Sequence, residues 1–346
     1  MRRILPALGL FFLSPLVAEF LLGNLPINAL YALVVLAPLY GGGALLIREA
    51  VRRAERGWPS ILILALAYGV LEEGIATMSL FNPNYVGLRL LDNGYIPQLG
   101  IGGPWTVLVL TLHVIWSIGV PIAMMEALVP AHRTVPWLGR VGLAVTAVVF
   151  VLGGAAMTAL SIAQSQFVAS VPQLASSVVI AAGLVVIGLI VVRPQTAAAH
   201  APASGSAAPE PWVVGVAALV ASSAFKLIPH DWAPWLNVTL ALGLAVIAIV
   251  SVWIWSHRRG WGDLHRLALA AGPMLTYAWT AFPQPPVMPA SPAVDLAGNA
   301  IFAAGAVALI AIAALRLLRR QERHADEPAQ DGFTSAPRRE MLRHAG

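Results

Sequence analysis

Ten apolar runs divide the chain, each about 17 to 25 residues long, the length a helix needs to cross a bilayer. They fall near 4–22, 27–47, 59–80, 105–128, 141–163, 174–192, 212–229, 236–256, 266–283 and 297–317. Lipid offers no hydrogen bonds to a backbone, so runs of this kind must close their own bonds as helices. The fold expected is therefore all-α, a polytopic transmembrane helix bundle of about ten spans. Composition removes the soluble alternative. Of 346 residues, 58% are hydrophobic and 11% charged, whereas soluble domains carry about 25% charged residues to stay wetted.

Basic residues orient the bundle, because short Lys- and Arg-bearing loops stay on the cytoplasmic side. With strict alternation of ten spans, 19 of the 21 basic residues fall on one side, and only Arg89 and Lys226 fall on the other. Both termini are thus expected in the cytoplasm, with the protein in the plasma membrane. Trp58, Trp105, Trp137, Trp212, Trp235, Trp255 and Trp261 stand at or beside expected span ends, where an indole has one apolar face and one wet edge. Trp116 is the exception, well inside span four.

Residues 1–193 form a first membrane domain of six spans and 212–318 a second of four. The Ala-, Pro- and Ser-rich stretch 194–211 between them has the composition of a cytoplasmic linker. The polar tail 319–346 is expected to be disordered in the cytoplasm. Arg2 and Arg3 precede the first apolar run as in a signal peptide, but the run reaches Leu22 without a small-residue cleavage site, so it is read as a retained span.

Cys is absent, which excludes disulfides, thiolate nucleophiles and metal–thiolate centres. The net charge of +5 belongs to loops facing anionic lipid rather than to a nucleic-acid surface. The partners expected are the lipid bilayer and a small solute or ion, with no nucleic acid. There is no phosphate-binding Gly-rich loop and no His-Glu-x-x-His zinc signature, and no motif specifies a cofactor, a metal or a protein partner.

Ionisable groups inside a span cost a few kcal/mol or more each, so they pair, face a cavity or do chemistry. Here they are few: Glu19 in span one, Glu72 and Glu73 in span three, His113 and Glu126 in span four, and Lys226 near the end of span seven. At 1.5 Å per residue, Glu19 lies roughly 5 Å, the glutamate pair roughly 10 Å and His113 roughly 12 Å below the outer boundary. Adjacent spans three and four can bring one of the two glutamates to His113. The other, about 100° around the helix, is expected to face span one or two. After span three, Asn82-Pro83-Asn84-Tyr85 opens a long outer loop that can act as a lid, which adds Asn82 and Asn84 to the candidate binding residues.

Span two combines Pro38 with Gly41, Gly42 and Gly43, a pattern of close helix packing or of a broken helix at a transport site. Arg48 and Glu49 follow at the cytoplasmic boundary and read as solvated charges. Pro121 places a kink below His113.

Glu72-Glu73 in one span and His113 in the next resembles the glutamate-dependent intramembrane proteases of the CAAX-protease and bacteriocin-processing family. Thr77 and Val109 stand where that family's pattern has Arg and Phe. The resemblance implies that Glu72 or Glu73 activates a water and His113 stabilises the oxyanion. The residues themselves point first to a transporter or permease-like protein, with an outward-facing pocket of Glu19, Glu72, Glu73 and His113 for a cation, proton or small polar solute. An intramembrane hydrolase is the alternative, and a non-catalytic membrane subunit with a structural polar cluster is the third reading.

Overall fold

The computed structural model describes residues 4–193, 206–229 and 231–326. A helix stands at each of the ten expected positions: α1 Ile4–Phe20, α2 Ile27–Arg53, α3 Trp58–Ala76, α4 Gly103–Leu128, α5 Arg140–Ser165, α6 Val171–Val191, α7 Pro211–Lys226, α8 Pro234–Ser256, α9 Asp263–Thr280 and α10 Pro292–Asp326. Seven are long and apolar enough to cross a membrane. Of the rest, α1 and α7 are shorter, and α9 carries Asp263, His265 and Arg266 in its first turn. The strands among the described residues are β1 (Tyr95–Ile96) and β2 (Ile101–Gly102), an antiparallel pair in the loop between α3 and α4.

Burial divides the helices into a centre and a rim. More than half of the apolar windows of α2, α3 and α4 is buried, against 11% in α5 and 6% in α8. The rim helices therefore present Val, Leu and Ile outward, as lipid requires. Helix α4 is the hub, packing against α1, α2, α3, α8, α9 and α10. The six-span and four-span groups are thus joined in one bundle. Trp116 of α4 stacks on Tyr277 of α9, with ring centroids 4.5 Å apart, and its indole donates to the Pro273 carbonyl at 2.8 Å.

Prolines in the central helices leave carbonyls that other helices use. Pro121 has no N–H for the Ser117 carbonyl four residues back, and Ser14 of α1 donates to that oxygen at 2.6 Å. Pro15 likewise leaves the Phe11 carbonyl, and Gly41 of α2 packs so closely there that a Cβ would overlap it. Gly42 and Gly43 continue the contact, one against Phe150 of α5 and the other against Tyr68 of α3. Three consecutive glycines thus admit three different helices.

Arg48 and Glu49 differ from the solvated charges expected of them: both are fully buried. Arg48 pairs with Glu126 of α4 at 3.1 Å and with Glu49 at 3.0 Å. It also donates to the carbonyls of His132, Arg133 and Val135 and lies 3.3 Å above the Trp137 ring. Glu49 accepts from the backbone N–H groups of Trp137 and Leu138 and from Arg53. The loop after α4 folds back over the helix ends and replaces water around these charges. Trp137 is accordingly buried rather than interfacial.

Helix α10 runs on to Asp326, past the apolar run, through Arg319, Arg320, Gln321, Glu322 and Arg323, residues that favour helix without needing burial. The tail beyond 326 and linker residues 194–205 lie outside the described residues. The end of the linker is tied down, with the Ala208 N–H donating to the Arg259 carbonyl and the Pro209 carbonyl 2.9 Å from His265 Nε2.

Candidate functional site

Five π-helical turns occur among the described residues, and four of them are at Leu16–Phe20, Ala37–Gly41, Glu72–Ala76 and His113–Gly119. Each of the four carries one part of the site: Glu19, Tyr40, the glutamate pair and His113. In such a turn the backbone bond reaches five residues back, as from Thr77 N–H to the Glu72 carbonyl at 2.9 Å. The wider turn bulges the helix and redirects its side chains, and such bulges gather at functional sites.

The widening bears directly on the glutamate pair. Glu72 and Glu73 were expected to diverge, yet both carboxylates approach one nitrogen, with His113 Nε2 3.1 Å from Glu72 Oε2 and 2.8 Å from Glu73 Oε1. All three residues are buried. Gly69, one turn before Glu73 on α3, makes the approach possible, since a Cβ there would stand 3.1 Å from the His113 Cβ.

The two carboxylates are held differently. Glu73 Oε2 accepts from Ser79 and from Thr77, and Trp105 Nε1 donates to Ser79 Oγ at 3.2 Å. Glu72 Oε2 has no aligned hydrogen bond, and neither do the Tyr68 hydroxyl or His113 Nδ1. The imidazole is set by packing, with its centroid 5.8 Å from the Tyr40 ring and 5.6 Å from the Tyr68 ring. Buried polar atoms without partners are uncommon and call for a physical account.

Glu19 joins the centre through Tyr40, whose hydroxyl donates to Glu19 Oε1 at 2.7 Å, while Asn24 donates to Oε2 at 2.6 Å. Both Glu19 oxygens are therefore satisfied. The loop after α3 adds Tyr85, ring-packed with Trp105. Burial and then the charges of Glu73, Glu72 and Glu19 push the Tyr85 phenol well above its usual pKa, so it remains a hydroxyl over the acids. Two residues of this segment, Met78 and Val86, hold positive φ angles of 55° and 47°, costly for non-glycine backbone and most so for β-branched Val86.

Of the residues singled out in the sequence, Glu19, Glu72, Glu73 and His113 are brought into one continuous cluster. Asn82 is buried, its Oδ1 accepting the Asn84 N–H at 3.0 Å and its Nδ2 without a partner, while Asn84 is exposed. Together they shape the turn that carries Tyr85. Tyr40, Tyr68 and Ser79 were not singled out, Thr77 was noted only as a departure from the resembled pattern, and Tyr85 only as the end of the Asn82-Pro83-Asn84 turn. Tyr68 was within reach, since it precedes Glu72 by four residues and shares its face. Ser79 had no signal, because it acts from a non-helical segment.

Fold and site together define a polytopic α-helical membrane protein with a buried Glu-Glu-His centre. The chain belongs to a family described as an uncharacterized membrane protein family, whose model matches residues 8–321 and so reaches from α1 to α10. Comparisons with curated proteins and with solved structures gave no match.

Proposed function

We propose that this protein is permease-like and takes a cation, a proton being the smallest, or a small polar solute at the cluster of Glu19, Glu72, Glu73 and His113. Charge balance carries the reading. Three carboxylates and one imidazole lie together, and no Lys or Arg is among their described hydrogen-bond partners. Uncompensated negative charge is costly inside a membrane, and a bound cation supplies what His113 alone does not. Four bulged helices and a strained loop support a site that opens and closes.

The side from which it opens follows from the basic residues. Arg48, Arg52, Arg133, Arg266 and Arg316 gather at one end of the bundle, and a cytoplasmic position for that end puts both termini inside a plasma membrane and the Tyr85 loop outside. Flux into proteoliposomes tests the function, with protons, Na⁺, Mn²⁺ and Zn²⁺ offered in turn. Glu72→Gln and Glu73→Gln are expected to abolish flux of the transported ion while the thermal melt of the protein persists. Equal flux in wild type and both variants would refute the reading.

One observation favours hydrolysis as a second reading. Ser79 holds one Glu73 oxygen while the other faces His113, an arrangement suited to a general base beside an oxyanion donor, and these are the residues behind the resemblance to glutamate-dependent intramembrane proteases. Cleavage of a membrane-embedded peptide, lost in Glu73→Gln, would favour it over transport.

A further inference from the structure

We infer that the cation of this site is a divalent transition-metal ion of the zinc or manganese kind, held by Glu72 Oε2, Glu73 Oε1 and His113 Nε2. The inference rests on reading the cluster as a cation site and names the ion class.

Geometry comes first. A metal bound 2.0 to 2.2 Å from oxygen and nitrogen ligands sets neighbouring ligand atoms about 3.3 to 3.6 Å apart in a tetrahedral site and about 2.8 to 3.1 Å apart in an octahedral one. The His113 nitrogen stands 3.1 Å and 2.8 Å from the two carboxylate oxygens, and the three ligand atoms lie within 4.8 Å of one another. Small side-chain shifts convert this cluster into three ligands of one ion.

Support around the ligands is the second observation. Carboxylates that bind metals are themselves hydrogen-bonded, which fixes the oxygen they present. Ser79 and Thr77 do this for Glu73 Oε2 and leave Oε1 directed at the centre. Glu72 Oε2, buried and without an aligned hydrogen bond, has a partner once an ion is present. The Tyr68 hydroxyl, one turn earlier on α3, is equally buried without a partner, and its ring packs against the His113 imidazole. His113 Nδ1 lacks the acceptor that usually orients a ligand imidazole, and Tyr40 and Tyr68 hold the ring instead.

Donor chemistry and charge select the ion. Two carboxylates cancel a 2+ charge, and Glu19 is already bonded through both oxygens. Ca²⁺ takes six to eight oxygens, and Mg²⁺ prefers to keep several waters. An imidazole with carboxylates suits Zn²⁺ or Mn²⁺ better, and without Cys no thiolate ligand competes for the ion.

The test uses the full chain in detergent, purified on a tag free of histidine, stripped with chelator and titrated with ZnCl₂ or MnCl₂ alone. About one equivalent is expected to bind and to survive an excess of MgCl₂ and CaCl₂. Glu73→Gln and His113→Gln should weaken binding at least tenfold, Ser79→Ala roughly tenfold through its carboxylate, and Arg89→Gln, on the exposed loop, not at all. X-ray absorption of the wild-type complex should show nitrogen and oxygen neighbours with imidazole scattering, a readout that needs no folded variant. No stoichiometric binding, or a metal without imidazole, overturns the inference. Proton or Na⁺ flux lost in Glu73→Gln without metal binding would sink the metal and leave the permease reading standing. Metal binding without flux of any ion would do the reverse.

Discussion

Arg48 directs one guanidinium to two carboxylates, three carbonyls and the face of Trp137. Removing one side of such a buried network leaves the other charges uncompensated, at a cost of about 3 to 5 kcal/mol. Arg48→Ala is therefore expected to lower the melting temperature in detergent sharply. Arg48→Lys should recover only part of the loss, because an ammonium has no planar fork; a full recovery would show that charge alone matters. The sequence revealed that Arg48, Glu49 and Glu126 were present, but not that the loop 129–139 closes over them. Their partners there are backbone carbonyls and N–H groups, which no side-chain pattern announces.

At the scale of elements, the central helices are built around interruptions. The Ser14 bond to the Ser117 carbonyl, beside the N–H that Pro121 lacks, makes a two-helix test. Ser14→Ala is expected to destabilise by about 1 kcal/mol, and by less in a Pro121→Ala background, where a backbone N–H returns. A double-mutant cycle by thermal unfolding measures the difference, and strict additivity would refute the coupling. Helix positions were legible because apolar runs of this length have one physical solution in lipid. The π turns were not, since their widening depends on which neighbouring helix accepts the displaced side chains. That is why Glu72 and Glu73, drawn 100° apart on an ideal helix, meet at a single His113 nitrogen.

At the scale of the whole molecule, a shared depth along the spans was the readable signal for Glu19, Glu72, Glu73 and His113, and the fold brings them together through His113 Nε2 and Tyr40. The hydroxyls of Tyr40 and Ser79 came from positions without charge or motif and were not legible, whereas Tyr85 was visible only as the end of a turn motif. The absence of Cys allows sidedness to be checked with single thiols. A cysteine at Leu99 in the loop after α3 is expected to react with a membrane-impermeant reagent from outside intact cells, and one at Thr134 only after permeabilisation; the opposite pattern would invert the topology. The Arg48 network also has a history in time. Its partner Glu126 lies 78 residues further along the chain, so at about 5 to 20 residues per second the ribosome delivers it some 4 to 16 s later. Throughout that interval α2 carries Arg48 and Glu49 with neither Glu126 nor the 129–139 loop to cover them. Until Glu126 and that loop are made, the partners within reach are those α2 itself carries, Glu49 for Arg48 and Arg53 for Glu49.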